Sequence, residues 1–579
     1  MPHRKNPGLT PNESASAGKA GRSSEFDFAL RREALLMLKH KAGIIIDPNA
    51  ASRSALRAML GAIGMTQVVQ VAGSVDALRR VREHATDIIL CDYMLEDGRD
   101  GQQLLEEMRS KRLIPLSTAF IVITRERRYQ AVISVAELAP DDYLLKPFTP
   151  QHLMERLESV LAKKHVFRHA HRHVEASEAD AALTACDAIC VKYPHYRLDA
   201  LRLKAETLMA CRRTEEAEAL YRQILAHKAV PWAKMGLALA ARESGHLDEA
   251  ADLVLDVVQS HPQYLAAYDL AATIDEQRGR SDEAQQHLQA AVDHAPHGLN
   301  RQRQLGRLAL ENGDFAAAEA AMAVVISRGS GSSLRELGDY AQLARIQVAA
   351  GKPEAALETV AAMSRDMRGH ANASMLGEAM AALAHAKMGN AEQATLAANQ
   401  AKKRAAAGGD MQPDLLVDVS QALFVAGDAA GGEQILLRAI SLGEGDERFG
   451  KYMNRVMATF QETAGVADNL SEDLRQRFIQ INNEGVRLGK AGDFDQAIGL
   501  FREAAAQLPS LQMFANAAKA ILAKLNRDGW NDELAAEAME YLKRGKSKAP
   551  TDARILSAIA AFGQVATKFG IRQSDTAWD

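Results

Sequence analysis

Cysteine is scarce, with four in 579 residues. That excludes a disulfide-stapled framework and favours a reducing compartment. Aromatic residues reach only 5%, while hydrophobic residues as a class make up 47%. Alanine is abundant instead, above all after residue 165, and alanine and leucine form helices readily, so the composition leans helical. Neither sign of charge dominates: 70 Lys and Arg face 74 Asp and Glu, for a net charge of -4. That balance gives no general case for nucleic-acid binding. No run of about 18 residues is apolar enough to cross a bilayer. The first residues, MPHRKNPGLTPNESASAGKAGRSSEF, hold no apolar core of a signal peptide, so the expected location is cytoplasmic.

The length is too great for one hydrophobic core and implies several domains or an extended repeat array. Residues 1–24 are rich in Ser, Pro, Gly, Asn and Lys and are expected to be a disordered tail. Residues 25–40 place Phe28, Leu30, Leu35, Leu36 and Leu38 at helical spacing, which predicts a short helix. From Gly43 the pattern changes. GIII (43–46), QVVQV (67–71), DIILC (87–91), AFIVIT (119–124) and DYLL (142–145) are short apolar runs. Amphipathic segments separate them. This alternation predicts a doubly wound, flavodoxin-like parallel sheet over residues 41–163.

After about residue 165 a repeat takes over. RTEEAEALY, HLDEAADLV, RSDEAQQHL and DFAAAEAAM carry equivalent alanines at Ala217, Ala250, Ala284 and Ala318, and Pro262 and Pro296 close two of these units. A period of about 34 residues is that of the tetratricopeptide helix–turn–helix unit. A small residue belongs where its two helices approach closely. Weaker units follow from 351, 389 and 427, their extra residues assigned to longer helices or loops. The clearest copy is the last, with Gly485, Leu488, Ala497, Phe501, Ala504 and Pro509. SSLREL (332–337) and GVADNLSED (465–473) read as irregular interruptions. The expected division is an all-α repeat solenoid over 164–464 and further repeats over 465–579.

Chemistry concentrates at the strand ends. Asp47 ends the first run, Asp92 follows the third, Thr124 ends the fourth and Lys146 follows the fifth. In a doubly wound sheet these four gather at one edge. A carboxylate there can attack a phosphoryl group, a hydroxyl and an ammonium can neutralise its oxygens, and a second carboxylate can hold Mg²⁺. The set CDYML with a downstream Asp-Gly, the Thr, and DDYLLKPF resembles a response-regulator receiver domain over residues 41 to about 163, in order and along its whole length. The resemblance implies a phosphoacceptor at Asp92 and phosphoryl-sensing residues at Thr124 and Lys146. Tyr143 matches the aromatic that changes rotamer on activation. The metal set it implies is Asp47, Asp92 and the backbone carbonyl of Met94, with Mg²⁺ as cofactor. The bond between Lys146 and Pro147 is often cis in such domains.

One departure stands out. Receivers usually have two consecutive acids after the first strand, and here Pro48 follows Asp47. Proline has no side-chain oxygen, so Asn49 or an extra water is expected to fill the place, with weaker metal binding. Two readings follow. One is a non-enzymatic response regulator whose receiver accepts a phosphoryl group from a histidine kinase or phosphotransfer protein and controls a protein or peptide partner of the repeats. The other is a pseudo-receiver scaffold that works without phosphorylation. No nucleic-acid or membrane partner is expected, and a homodimer is compatible with either reading.

Other features read more simply. His165, His169 and His173 share a helix face and make a solvated, basic surface before they make a metal site. Cys186 and Cys190 read as small buried helix residues. SRGSGSSLREL lacks the Gly-Lys-Ser/Thr of a phosphate loop and reads as a flexible connection.

Overall fold

Each apolar run of the first part forms a strand in the computed structural model: β1 (Ala42–Ile46), β2 (Gln67–Val71), β3 (Ile88–Asp92), β4 (Ala119–Thr124) and β5 (Asp142–Leu145). The structure describes residues 37–95, 101–125, 140–296, 298–328, 336–407, 411–443, 446–507, 510–550 and 552–571. The tail, the expected helix before Met37, Asp97–Gly98, most of the 327–337 connection and Pro509 lie outside them. Met37–His40 is a single 3₁₀ turn, and Leu38 from it is buried in the sheet domain.

The strands are all parallel, in the order β2-β1-β3-β4-β5. The described helices of this domain are α1 (Ala50–Ala62), α2 (Ser74–Glu83), α3 (Gly101–Ser110) and α4 (Pro150–Glu175). Alternate strand residues face opposite sides. Ile45, Leu90, Ile121 and Ile123 meet Leu56 and Leu60 of α1 and Leu153 and Leu157 of α4. Ile44, Ile46, Ile89, Phe120 and Val122 meet Leu78 of α2 and Leu104 and Met108 of α3. With both faces covered, the strands read as unbroken apolar runs rather than alternating ones. Burying each such side chain contributes about 1.5–3 kcal/mol. The strand order reverses between β1 and β3, which opens a crevice at their carboxyl ends.

No loop separates this domain from the repeats. Thr149 caps α4 by accepting the His152 N–H at 3.2 Å, and Pro150 occupies the first turn, where its missing N–H costs nothing. The helix then runs for 26 residues. Leu153, Leu157, Val160 and Leu161 belong to the sheet core. Ala162, Val166, Phe167 and Ala170 belong to the next core, with Cys186, Ile189 and Ala200. One helix therefore serves two cores.

Beyond α4 the described chain is all helical. Helix pairs recur, such as Pro231–Glu243 with Leu247–Ser260 and Leu265–Gln277 with Ser281–His294. Ala217, Ala250, Ala284 and Ala318 are all fully buried, as their repeat position requires. Gly236 and Gly485 show the close approach directly: an added Cβ would lie 2.2 Å from the Tyr221 ring and 2.1 Å from the Phe501 ring. Turns between paired helices carry left-handed glycines at 245, 279, 313, 351, 389 and 427. Longer helices supply part of the longer period of the later units: Ala373–Lys387 has 15 residues and Ala391–Ala407 has 17, against 13 and 14 for Leu265–Gln277 and Ser281–His294. Residues 465–473 depart from expectation. They are no interruption but the start of a 26-residue helix, Val466–Ala491, entered through left-handed Gly465.

The described residues form two compact units, one within 1–312 and 323–335, the other within 313–322 and 336–579. The second unit contains a buried polar network. Asp418 accepts from the Tyr452 hydroxyl at 3.1 and 3.0 Å and pairs with Arg345, whose Nε donates to Gln421 at 3.1 Å. Arg345, Asp418 and Gln421 are 4%, 1% and 0% exposed. Burial raises the Asp418 carboxyl above the usual range, against the pull of Arg345.

Candidate functional site

The crevice gathers the residues that the strand ends predict. β3 delivers Asp92 as its last residue, and Asp47 follows β1 directly. Thr124 closes β4 and is buried, and its carbonyl accepts the Lys146 N–H at 2.8 Å. Lys146 follows β5 in the turn before α4, with its peptide bond to Pro147 cis.

Lys146 is the hub. Its ammonium donates to Asp92 Oδ2 at 2.6 Å, to Asp47 Oδ2 at 2.8 Å and to Ser52 Oγ at 3.2 Å. The other Asp92 oxygen, Oδ1, accepts the Met94 N–H at 2.9 Å. Asp47 is 2% exposed. Its Oδ1 accepts the Asn49 N–H at 2.8 Å, and its Oδ2 accepts the Ser52 hydroxyl at 2.6 Å. Burial pushes this carboxyl up, but hydrogen bonds from Lys146, Ser52 and Asn49, with the Lys146 charge, hold it below the usual carboxylate range. Arg53 donates to the carbonyls of Asp47 and Pro48 at 2.6 and 2.9 Å and fixes the turn.

Tyr143 lies on β5, half buried against the α2–α3 side of the sheet. Its hydroxyl is buried and has no hydrogen-bond partner among the described residues. Burial, helped by Tyr93 and Asp142 nearby, pushes its pKa far above the usual phenol range.

Two carboxylates converging on one cation suit a hard ion with oxygen ligands. Asp47 and Asp92 put two carboxylates of that donor type in the crevice, and Pro48 adds no side-chain oxygen to them. Asn49 does not fill that place: its side chain caps α1 by accepting the Ser52 N–H at 2.9 Å. The extra oxygen in the crevice belongs to Ser52. The sequence reading missed it because a Ser in the first helical turn reads as a solvent-facing residue. Gly101 opens α3 against β3. The Gly101 N–H donates to the Tyr93 carbonyl at 2.8 Å, and a Cβ there would lie 2.9 Å from the Asp92 carbonyl oxygen.

Beside the crevice is a cleft of about 440 Å³ lined by Ser52, Leu56, Met59, Arg125, Lys146 and Phe148.

The other candidates resolve differently. His165 and His173 are half buried and His169 is exposed. His173 pairs with Glu178 at 2.6 Å. Among the described residues no group of three or more His, Cys, Asp or Glu could hold a metal. Cys186 is buried, which pushes its thiol up to about 12, and neither it nor Cys190 forms a disulfide.

Residues 44–158 match the response regulator receiver domain. Over 120 residues the chain is 30% identical to the probable transcriptional regulator ycf27 of Porphyridium aerugineum, covering 21% of this chain and 48% of that one. It is 29% identical over 122 residues to the chemotaxis protein CheY1 of Helicobacter pylori, covering 20% of this chain and 94% of that one. The chain thus spans about half the length of the ycf27 relatives it matches. Among solved structures it is similar to a tetratricopeptide repeat protein from Parabacteroides merdae, at 15% identity and a TM-score of 0.28, covering 45% of this chain and 98% of that one. The C-terminal part of a repeat-containing protein from Cytophaga hutchinsonii gives 16% and 0.30, covering 43% and 97%. The protein carries a response-regulator receiver domain followed by a long all-helical region. Among the described residues no helix is long and apolar enough to cross a membrane.

Proposed function

We propose that the protein is a phosphorylation-controlled interaction protein of the cytoplasm, with a receiver over residues 41–163 and repeats over 164–464 and 465–579. The observation that carries this reading is the Lys146 ammonium held between Asp92 and Asp47. A histidine kinase or phosphotransfer protein brings a phosphohistidine to the crevice. An Asp92 oxygen attacks phosphorus, an O–P bond forms, the N–P bond breaks, and the imidazole leaves. Asp47, Asp92 and the Met94 carbonyl would hold Mg²⁺, which neutralises charge on the phosphoryl oxygens when bound. Lys146 and Thr124 take two of those oxygens. Tyr143 responds through its buried hydroxyl, and α4 carries the change into the repeats. The repeats then bind a protein or peptide partner. The near-balanced charge supports a protein partner over nucleic acid.

A second reading, a scaffold that never takes a phosphoryl group, is favoured by one observation. With Pro48 in place of an acid, the donors around Asp47 already satisfy both of its oxygens. Beryllium fluoride with Mg²⁺ mimics the acyl phosphate and separates the two. Under the switch reading it slows amide exchange over 119–125 and 142–148. Unchanged exchange there would leave the scaffold.

A further inference from the structure

Lys146 carries three ammonium protons, and the structure gives each an acceptor: Asp92, Asp47 and Ser52. Two of these are the acids that the strand ends predict. The third is a neutral hydroxyl from the first turn of α1. Ser52 is engaged on both sides, since it accepts from Lys146 at 3.2 Å and donates to Asp47 Oδ2 at 2.6 Å. Its place on the helix is itself fixed, because Asn49 caps its backbone N–H at 2.9 Å and Arg53, the next residue, pins the turn. The hydroxyl therefore closes a ring of Lys146, Asp47 and Ser52 in a crevice where proline has removed one acid.

We propose that Ser52 is a positioning residue for phosphoryl transfer. It orients the Lys146 ammonium between Asp47 and Asp92, and so supplies from α1 the polar oxygen that Pro48 cannot. The hydroxyl suits this task because it accepts from the ammonium and donates to the carboxylate at once. A carboxylate in its place would only accept. An ammonium held by three acceptors is set in position before the phosphoryl group arrives, and transition-state charge is stabilised best by groups that need no rearrangement. The proposal rests on the reading that Asp92 is phosphorylated.

The test uses the full chain and two readouts. The first is the rate at which an amine-reactive ester modifies Lys146, followed by peptide mass spectrometry with the exposed Lys163 as internal reference. Lys146 is 15% exposed and Lys163 47%. The second is the rate of phosphoryl uptake from acetyl phosphate with Mg²⁺. In Ser52→Ala, Lys146 modification should rise about fivefold and phosphoryl uptake fall about tenfold or more, towards the roughly hundredfold loss that a 1 Å misplacement of a catalytic group can cause. Ser52→Thr, which keeps the hydroxyl, should restore both. Unchanged Lys146 modification in Ser52→Ala overturns the proposal whatever the phosphorylation rate. So does a Ser52→Ala protein that takes up phosphate as fast as the wild type. A wild type that takes up none removes the reading beneath it, and the positioning role falls with that reading.

Discussion

The ammonium of Lys164, four turns into α4, pairs with Asp141 at the foot of β5 at 2.7 Å. It also donates to the Leu116 carbonyl at 2.6 Å, while the Leu116 N–H is taken by Glu175 at the end of the same helix. Arg109 of α3 ties the same segment through the Thr118 carbonyl at 3.0 Å. The base of the sheet is thus fastened to the helix that begins the repeats, on the side opposite the crevice.

Lys164→Ala should loosen this junction. The side chains of Lys164 and Asp141 are 12% and 21% exposed, so removing the ammonium strands a partly shielded carboxylate and costs about 1–3 kcal/mol. Amide exchange should quicken in 113–118 and 162–175 while 119–124 stays protected. Equal exchange across the junction in both proteins would show that the apolar contacts of α4 suffice.

His171 gives the junction a pH dependence. It stacks on Phe167 with centroids 5.7 Å apart. Burial, with Lys164, Arg109 and Lys163 nearby, pushes its pKa down to about 3 from 6.5. In the unfolded chain the ring takes a proton below about pH 6.5, while the folded ring stays neutral. Stability is therefore full above that pH and falls as the solution is acidified, by up to about 1.4 kcal/mol per pH unit for this one group. His171→Phe should flatten the slope of denaturation midpoint against pH between about 6.5 and 5. An unaltered slope would place the acid sensitivity elsewhere.

Much of this was legible in the sequence, for physical reasons. Five apolar runs marked five strands because a sheet covered on both faces tolerates no polar alternation. Ala217 to Ala318 marked the repeat because close helix packing admits only small side chains there. The histidines show where periodicity stops. His165, His169 and His173 stood out by spacing, yet the histidine that packing perturbs is His171, and periodicity cannot tell which neighbouring charges close over a ring. Ser52 was hidden for a similar reason, since its role depends on a lysine 94 positions away. Residues 465–473 carry Gly465, Asp468 and Asn469, which weaken a helix pattern, yet the following turns carry the helix through them.

The Asp418 network predicts an asymmetry between single and double changes. Asp418→Ala leaves Arg345 charged and buried, and should cost the second unit about 3–5 kcal/mol. Replacing Arg345 and Asp418 together by Met and Leu should cost far less, because it removes both desolvated charges. Chemical denaturation of the full chain, followed by amide exchange in 337–349 and 413–425, measures both. A double variant as unstable as the single one would contradict this account.

Restoring the missing acid bears on the crevice. Pro48→Asp gives the site a second carboxylate next to Asp47, and Mg²⁺ affinity by calorimetry should rise about tenfold or more. Affinity that stays level would show that the new carboxylate cannot reach the ion from that turn.

The central claim is that Asp92 accepts a phosphoryl group despite Pro48. Intact-mass spectrometry after incubation with acetyl phosphate and Mg²⁺ tests it, with Asp92→Asn alongside. The account predicts a gain of one phosphoryl group in the wild type and none in the variant. No gain in either, under conditions that label an ordinary receiver, would contradict it and leave the scaffold.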